Sequence, residues 1–224
     1  LAEESVIGNQ SEFAHKSSYD RYYLLVNSGL EQPQTVHSDR YDYNFAYGAS
    51  SYSKGSVFMA QLEYIIGKEN MAKTIKRYYN EFKFKHPTPN DFKRVAEKVS
   101  DMELEWYLND WTRTTNTVDY GLDISSLSDD RSISVKRKGG IPMPLEIEVS
   151  YDDGSSLLYY IPNDLMHGLK SFDAENVVQM EAWGWASPEY SFQDITDKKI
   201  TKVEIDPSKT LADVNQIDNS FTIE

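Results

Sequence analysis

The sequence contains no cysteine in its 224 residues. That absence excludes disulfide frameworks, thiolate metal sites and cysteine nucleophiles. It also lacks the apolar run of ~18 residues that a membrane-crossing helix needs, so no transmembrane segment is expected. Basic residues are few: 23 Lys and Arg stand against 36 Asp and Glu, for a formal charge of −13. Nucleic-acid binding needs a basic footprint, so nucleic acid is excluded as a partner. An acidic surface of this kind serves mainly solubility. Histidine is rarer still. His15, His37, His86 and His167 lie far apart without an i, i+4 pair, and no H-E-x-x-H occurs. No zinc site is therefore legible within the chain, and each His reads as a surface or packing residue. G-x-S-x-G is missing too, which leaves a serine nucleophile unsupported.

The start, Leu1-Ala2-Glu3-Glu4, carries neither a signal-peptide pattern nor an initiator Met, so the chain is expected to have been cut from a longer protein. Asn9-Gln10-Ser11 fits the glycosylation acceptor pattern, as one Asn among a dozen does by chance. No residue fixes the compartment. The lack of cysteine and the acidic, Tyr- and Asn-rich composition fit a bacterial extracytoplasmic protein, periplasmic or secreted.

What is present is aromatic. The 16 Tyr can build a core despite the high charge, which argues against disorder as the overall state. The first half has helical periodicity. An apolar-periodic stretch runs from about Glu12 to Val26, then a polar, Pro-containing segment from Asn27 to Asp42. Val57, Phe58, Leu62, Ile65 and Ile66 share one helical face, and Gly67 supplies the stop. Met71, Ile75, Tyr78, Tyr79 and Phe82 define a second face. Thr88-Pro89-Asn90-Asp91 is a helix start with a capping Thr, Pro at the first position and an acid three residues after the cap. Phe92, Val95, Ala96 and Val99 follow it, and Leu104, Tyr107, Leu108 and Trp111 repeat the spacing. Antiparallel helices joined by short turns are expected.

Near Thr114 the period changes to two. Leu145, Ile147, Val149 and Tyr151 alternate, Asp153-Gly154 marks a hairpin turn, and Val203 and Ile205 end a strand that Pro207 stops. An antiparallel β-sandwich or small barrel is expected. The fold class is thus α+β with two domains, residues 1–116 helical and residues 117–224 β. Trp183 and Trp185 read as packing residues rather than a ligand platform.

One stretch stands out: Ala46-Tyr47-Gly48-Ala49-Ser50-Ser51-Tyr52-Ser53-Lys54-Gly55, which leads into an amphipathic helix. It reads as a loop-to-helix junction that holds two tyrosines five residues apart. A phenol is a neutral donor suited to stabilising an oxyanion. On spacing alone, ordinary packing aromatics are the favoured reading of both.

Tyr52-Ser53-Lys54-Gly55 resembles the Tyr-x-Lys-Gly motif of M1-family metallopeptidases, the gluzincin aminopeptidases. Ile65-Ile66-Gly67, Tyr79, Phe82-Lys83-Phe84, Thr88-Pro89-Asn90-Asp91-Phe92, Trp111 and Val118-Asp119-Tyr120 follow in that family's order, over residues 10 to 122. The glycyl aminopeptidases, with a similar helix start, are the related alternative; the Trp111 region and the Asp206-Pro207 ending favour M1. The resemblance implies that residues 1–116 are the C-terminal part of a thermolysin-like catalytic domain, with the β-sandwich after it. It implies a zinc-dependent aminopeptidase acting on peptides, in which Tyr52 donates to the oxyanion of the tetrahedral intermediate and Tyr47 is its companion. Lys54 and Gly55 shape the helix start. The family's zinc ligands and general base are expected before Leu1, so this stretch alone is expected to bind no zinc and to be inactive. The sandwich is expected to end the protein near Glu224, without the long helical domain of larger members. Gly140 to Leu145 resembles a Pro-rich entry to an edge strand of the sandwich. The contrasting reading is an M1-like scaffold that has lost catalysis and serves as an interaction module.

Overall fold

The computed structural model describes residues 15–123, 131–172 and 174–223. The Asn9-Gln10-Ser11 acceptor pattern and the Glu12 start of the first periodic stretch lie outside these. The chain divides into two compact units, Leu1–Thr115 and Asn116–Glu224.

The first unit is helical. Helix α1 (Lys16–Ser28) buries Tyr19, Tyr22 and Leu25 at three-residue spacing and stops at Gly29. A short helix α2 (Asn44–Gly48) passes into a π-helical turn, Ala49–Lys54, and then into α3 (Gly55–Ile66). The run through Gly48, Ala49, Lys54 and Gly55 keeps right-handed helical dihedrals. The expected loop-to-helix junction is therefore a helix throughout, widened at its middle. Small, polar Ala49-Ser50-Ser51 give no apolar period there, which is why the sequence read as a loop.

Helix α3 buries Val57, Leu62, Ile65 and Ile66, with Phe58 at the margin stacked 4.8 Å from Tyr107. Gly67, at φ 84°, breaks the helix in a conformation that disfavours any side chain. Helix α4 (Lys68–Phe82) buries Met71 and Thr74. Its inner stripe runs through positions 71, 74, 78 and 82, where Tyr78 meets Phe82 and Phe92 at 5.3 and 5.1 Å. Ile75 and Tyr79, expected on the same face, flank that stripe and are exposed. Helix α5 (Pro89–Ser100) opens with the expected capping box: the Thr88 backbone N–H donates to Asp91 at 2.8 Å, and the Thr88 side chain accepts from the Asp91 backbone. Helix α6 (Glu105–Arg113) buries Tyr107, Leu108 and Trp111, with Leu104 buried at its cap.

The second unit holds two sheets. Strands β1 (Tyr120–Asp123), β2 (Ser132–Arg137) and β6 (Glu189–Gln193) form one, in the order β1-β2-β6. The other has the order β5-β4-β3-β7-β8, from β3 (Leu145–Tyr151), β4 (Ser156–Ile161), β5 (Val177–Gln179), β7 (Ile200–Ile205) and β8 (Ser220–Thr222). Neither closes into a barrel, so the class is α+β. Leu145, Ile147, Val149 and Tyr151 are buried as the alternation required, and Gly154, at φ 81°, turns β3 into β4. Ile147 and Val149 pair with Ile205 and Val203 on β7. Two expectations need correction. The strand after the Pro-rich Gly140–Leu145 stretch is central, not an edge: β3 is paired on both sides, and its two prolines precede the ladder. One pairing, β4 with β5, is parallel, because the chain between them crosses over through a 3-10 turn at Asp164–Met166.

Buried carboxylates knit the second unit. Asp194 accepts from Tyr151 Oη at 2.6 Å and Thr196 Oγ1 at 2.7 Å, from the Tyr159 hydroxyl, and from Arg131 at 3.1 Å. Burial raises its pKa, but these donors outweigh burial and hold it below the usual range. Trp183 packs between Tyr120 and Tyr190, while Trp185 is exposed, so the packing role falls on Trp183.

Candidate functional site

The site is built on the helix that runs from α2 through the π turn to α3. An α-helix advances about 100° per residue, so residues five apart sit roughly 140° apart around it. A π turn closes i→i+5 hydrogen bonds instead, which carries residues five apart toward the same face. Tyr47 lies in α2, just before the turn, and Tyr52 inside it. Both face solvent: Tyr47 is 38% exposed and Tyr52 is 74% exposed. The Tyr47 ring meets Tyr41 edge-on at 5.5 Å. Arg21 of α1 lies 5.8 Å over the Phe45 ring of α2.

Lys54 does something the sequence did not suggest. Rather than shaping a helix start at the surface, its side chain is wholly buried, with Nζ 2.6 Å from Glu31 Oε1. Nζ also reaches the Thr114 carbonyl at 3.4 Å and stands 5.9 Å over the Trp111 ring. Burial holds the Glu31 carboxyl above its ordinary range, against the partial downward pull of the Lys54 ammonium. Burial likewise pushes the nearby Tyr22 phenol well up, with the Glu31 charge adding to it. The Tyr22 hydroxyl and Trp111 Nε1 are buried and find no hydrogen-bond partner among the described residues. Gly55, the last residue of the motif, has open space where a Cβ would stand.

Glu31 belongs to the polar segment between α1 and α2, and its neighbours also hold the turn. Gln34 Nε2 donates to the Ser50 carbonyl at 2.6 Å, inside the π turn. The segment is itself fixed: Tyr41 Oη donates to the Pro33 carbonyl at 3.2 Å, Asp42 N–H to Gln32 at 2.9 Å, and Thr35 N–H to the Thr112 carbonyl at 3.1 Å. Glu31 and Gln34 were invisible as site residues, since a Glu among 36 acidic residues reads as solvated surface. The one available signal was the buried-partner demand of Lys54, once its place inside a helix is known.

Chemically, the arrangement offers an exposed phenol on a rigidly held turn, with a charged pair sealed beneath it. Among the described residues no group of three or more His, Asp or Glu side chains is placed to hold a metal ion. Nor, among them, is any helix long and apolar enough to cross a membrane. Residues 11–111, which contain Tyr47, Tyr52, Lys54, Glu31 and Gln34, match the family model described as the peptidase family M1 domain. No curated protein matches the chain.

Proposed function

Residues 11–111 belong to peptidase family M1, and from that premise we propose that this chain supplies the oxyanion-stabilising wall of a zinc-dependent aminopeptidase. In this reading the helical unit, residues 1–116, is the C-terminal part of a thermolysin-like catalytic domain, and residues 117–224 are an accompanying β-sandwich. Zinc and its ligands belong to the full-length protein, and the isolated stretch is inactive.

Tyr52 is the donor. Attack of water on a peptide carbonyl turns its oxygen into an oxyanion, and a fixed O–H aimed at that oxygen is worth more in the transition state than in the substrate. The observation that carries this reading is the exposed Tyr52 phenol on a π-helical turn, a helix form that recurs at functional sites. Tyr47, on the neighbouring turn and held by Tyr41, is its companion and lines the same wall.

The test is steady-state hydrolysis of an aminoacyl anilide by the full-length protein carrying Tyr52→Phe. The phenylalanine keeps the ring and removes only the donor. Turnover should fall by about 10²–10³-fold, the equivalent of ~2.7–4 kcal/mol, with KM and zinc content unchanged. Tyr47→Phe should cost less. Unchanged turnover in Tyr52→Phe would defeat the assignment, and a wild-type full-length protein without hydrolytic activity would favour a scaffold.

A further inference from the structure

Tyr52 is 74% exposed, so its own ring anchors it little. Its backbone, by contrast, is held two residues to either side. Gln34 grips the carbonyl of Ser50, two residues before it, at 2.6 Å. Glu31 grips the ammonium of Lys54, two residues after it, at 2.6 Å. Both grips come from one short segment, residues 31–34, itself tied through Gln32, Pro33 and the adjoining Thr35.

We propose that Glu31, Lys54 and Gln34 are positioning residues that fix the π-helical turn and so set where the Tyr52 hydroxyl points. The proposal rests on the reading of Tyr52 as the oxyanion donor. A buried ion pair is a poor device for stability alone, because desolvating both charges cancels much of their attraction, and apolar residues of similar size would hold a helix as well. What such a pair supplies is a single geometry. Glu31, at 2.6 Å, is the charged partner of the buried Lys54 ammonium, and that pairing fixes the end of the turn. A π turn interrupts the regular α-helical ladder, and an added donor to a carbonyl within it, that of Ser50, holds the turn from outside. Gln34 provides that donor. Burial of the pair beside the Trp111 ring keeps water from competing for either charge.

A positioning role separates from a structural one in a mutant cycle. In the full-length protein, Glu31→Gln/Lys54→Met removes both charges together, and Gln34→Ala removes the second grip; each is made with Tyr52 intact and in the Tyr52→Phe background. With Tyr52 intact, the double variant should lower kcat roughly 10- to 100-fold, with KM held within about twofold and zinc content unchanged. Gln34→Ala should lower kcat by a smaller factor of the same kind. In the Tyr52→Phe background either change should cost less than about threefold, because there is no hydroxyl left to misplace. Equal losses in both backgrounds, or none with Tyr52 intact, would overturn the proposal. If Tyr52→Phe alone leaves kcat unchanged, the oxyanion reading fails first, by its own signature. Should the double variant not fold, Gln34→Ala carries the same comparison.

Discussion

Lys54 is where residue-level chemistry departs most from residue-level expectation. A lysine in a Tyr-x-Lys-Gly motif at a presumed helix start has water to point into, yet this one is fully buried against Glu31. The consequence for stability is asymmetric. Lys54→Met strands the Glu31 carboxylate without its partner and should destabilise the protein by ~3–5 kcal/mol. Glu31→Gln/Lys54→Met leaves no uncompensated charge and should recover most of that loss. Chemical denaturation of the wild type and both variants checks it. A double variant no more stable than the single one would mean that the pair contributes through packing, not charge. The sequence could not show this partnership, because 23 residues separate the two and nothing in the polar Asn27–Asp42 segment marks one acid above another. Tyr52 was legible as a candidate through its motif, and Tyr47 as the tyrosine five residues before it. Their presentation was not, because it depends on a π turn that no hydrophobic period announces.

At the scale of elements, periodicity located most of what formed. The three-four spacing of Leu104, Tyr107, Leu108 and Trp111 and the Thr88–Asp91 capping box became α6 and the start of α5. Alternation placed β3, and Asp153-Gly154 placed its turn. Legibility failed where tertiary pairing decides. Alternation shows that β3 buries one face but not how many neighbours flank it, and the resemblance of its Pro-rich entry put it at an edge. The parallel β4–β5 pairing depends on a crossover with no signature of its own. On α4 a stripe one residue wide, through Tyr78 rather than Tyr79, depends on where Phe92 stands.

One buried group ties elements together and titrates. Asp213 accepts the Tyr120 N–H at the start of β1 at 2.9 Å and the Asn215 N–H at 2.9 Å. Burial pushes its carboxyl up from 3.8 to about 6, against the pull of those donors. A folded value above the unfolded one means that the associated stability is fully present below about 3.8 and is lost as pH rises through about 6. The loss is on the order of 3 kcal/mol. Carboxyl NMR should show Asp213 titrating near pH 6, and Asp213→Asn should flatten the fall in stability between those values. A midpoint near 4 would contradict the burial argument.

For the molecule as a whole, composition set the bounds: acidic, without cysteine, with enough aromatic residues for two compact units. The family match over residues 11–111 supports a peptidase-related function in general. The finer account is a claim about differential binding. Tyr52 should recognise the tetrahedral oxyanion and not the planar substrate carbonyl, with Glu31, Lys54 and Gln34 holding it in place. The most direct measurement compares the full-length wild type and Tyr52→Phe for affinity toward a phosphinate dipeptide, whose tetrahedral anion mimics the intermediate, and toward a substrate-like amide. The account predicts that Tyr52→Phe weakens the phosphinate roughly 10- to 100-fold, as expected for a lost hydrogen bond to a charged group, and leaves the amide unchanged. Equal weakening of both, or of neither, would contradict it.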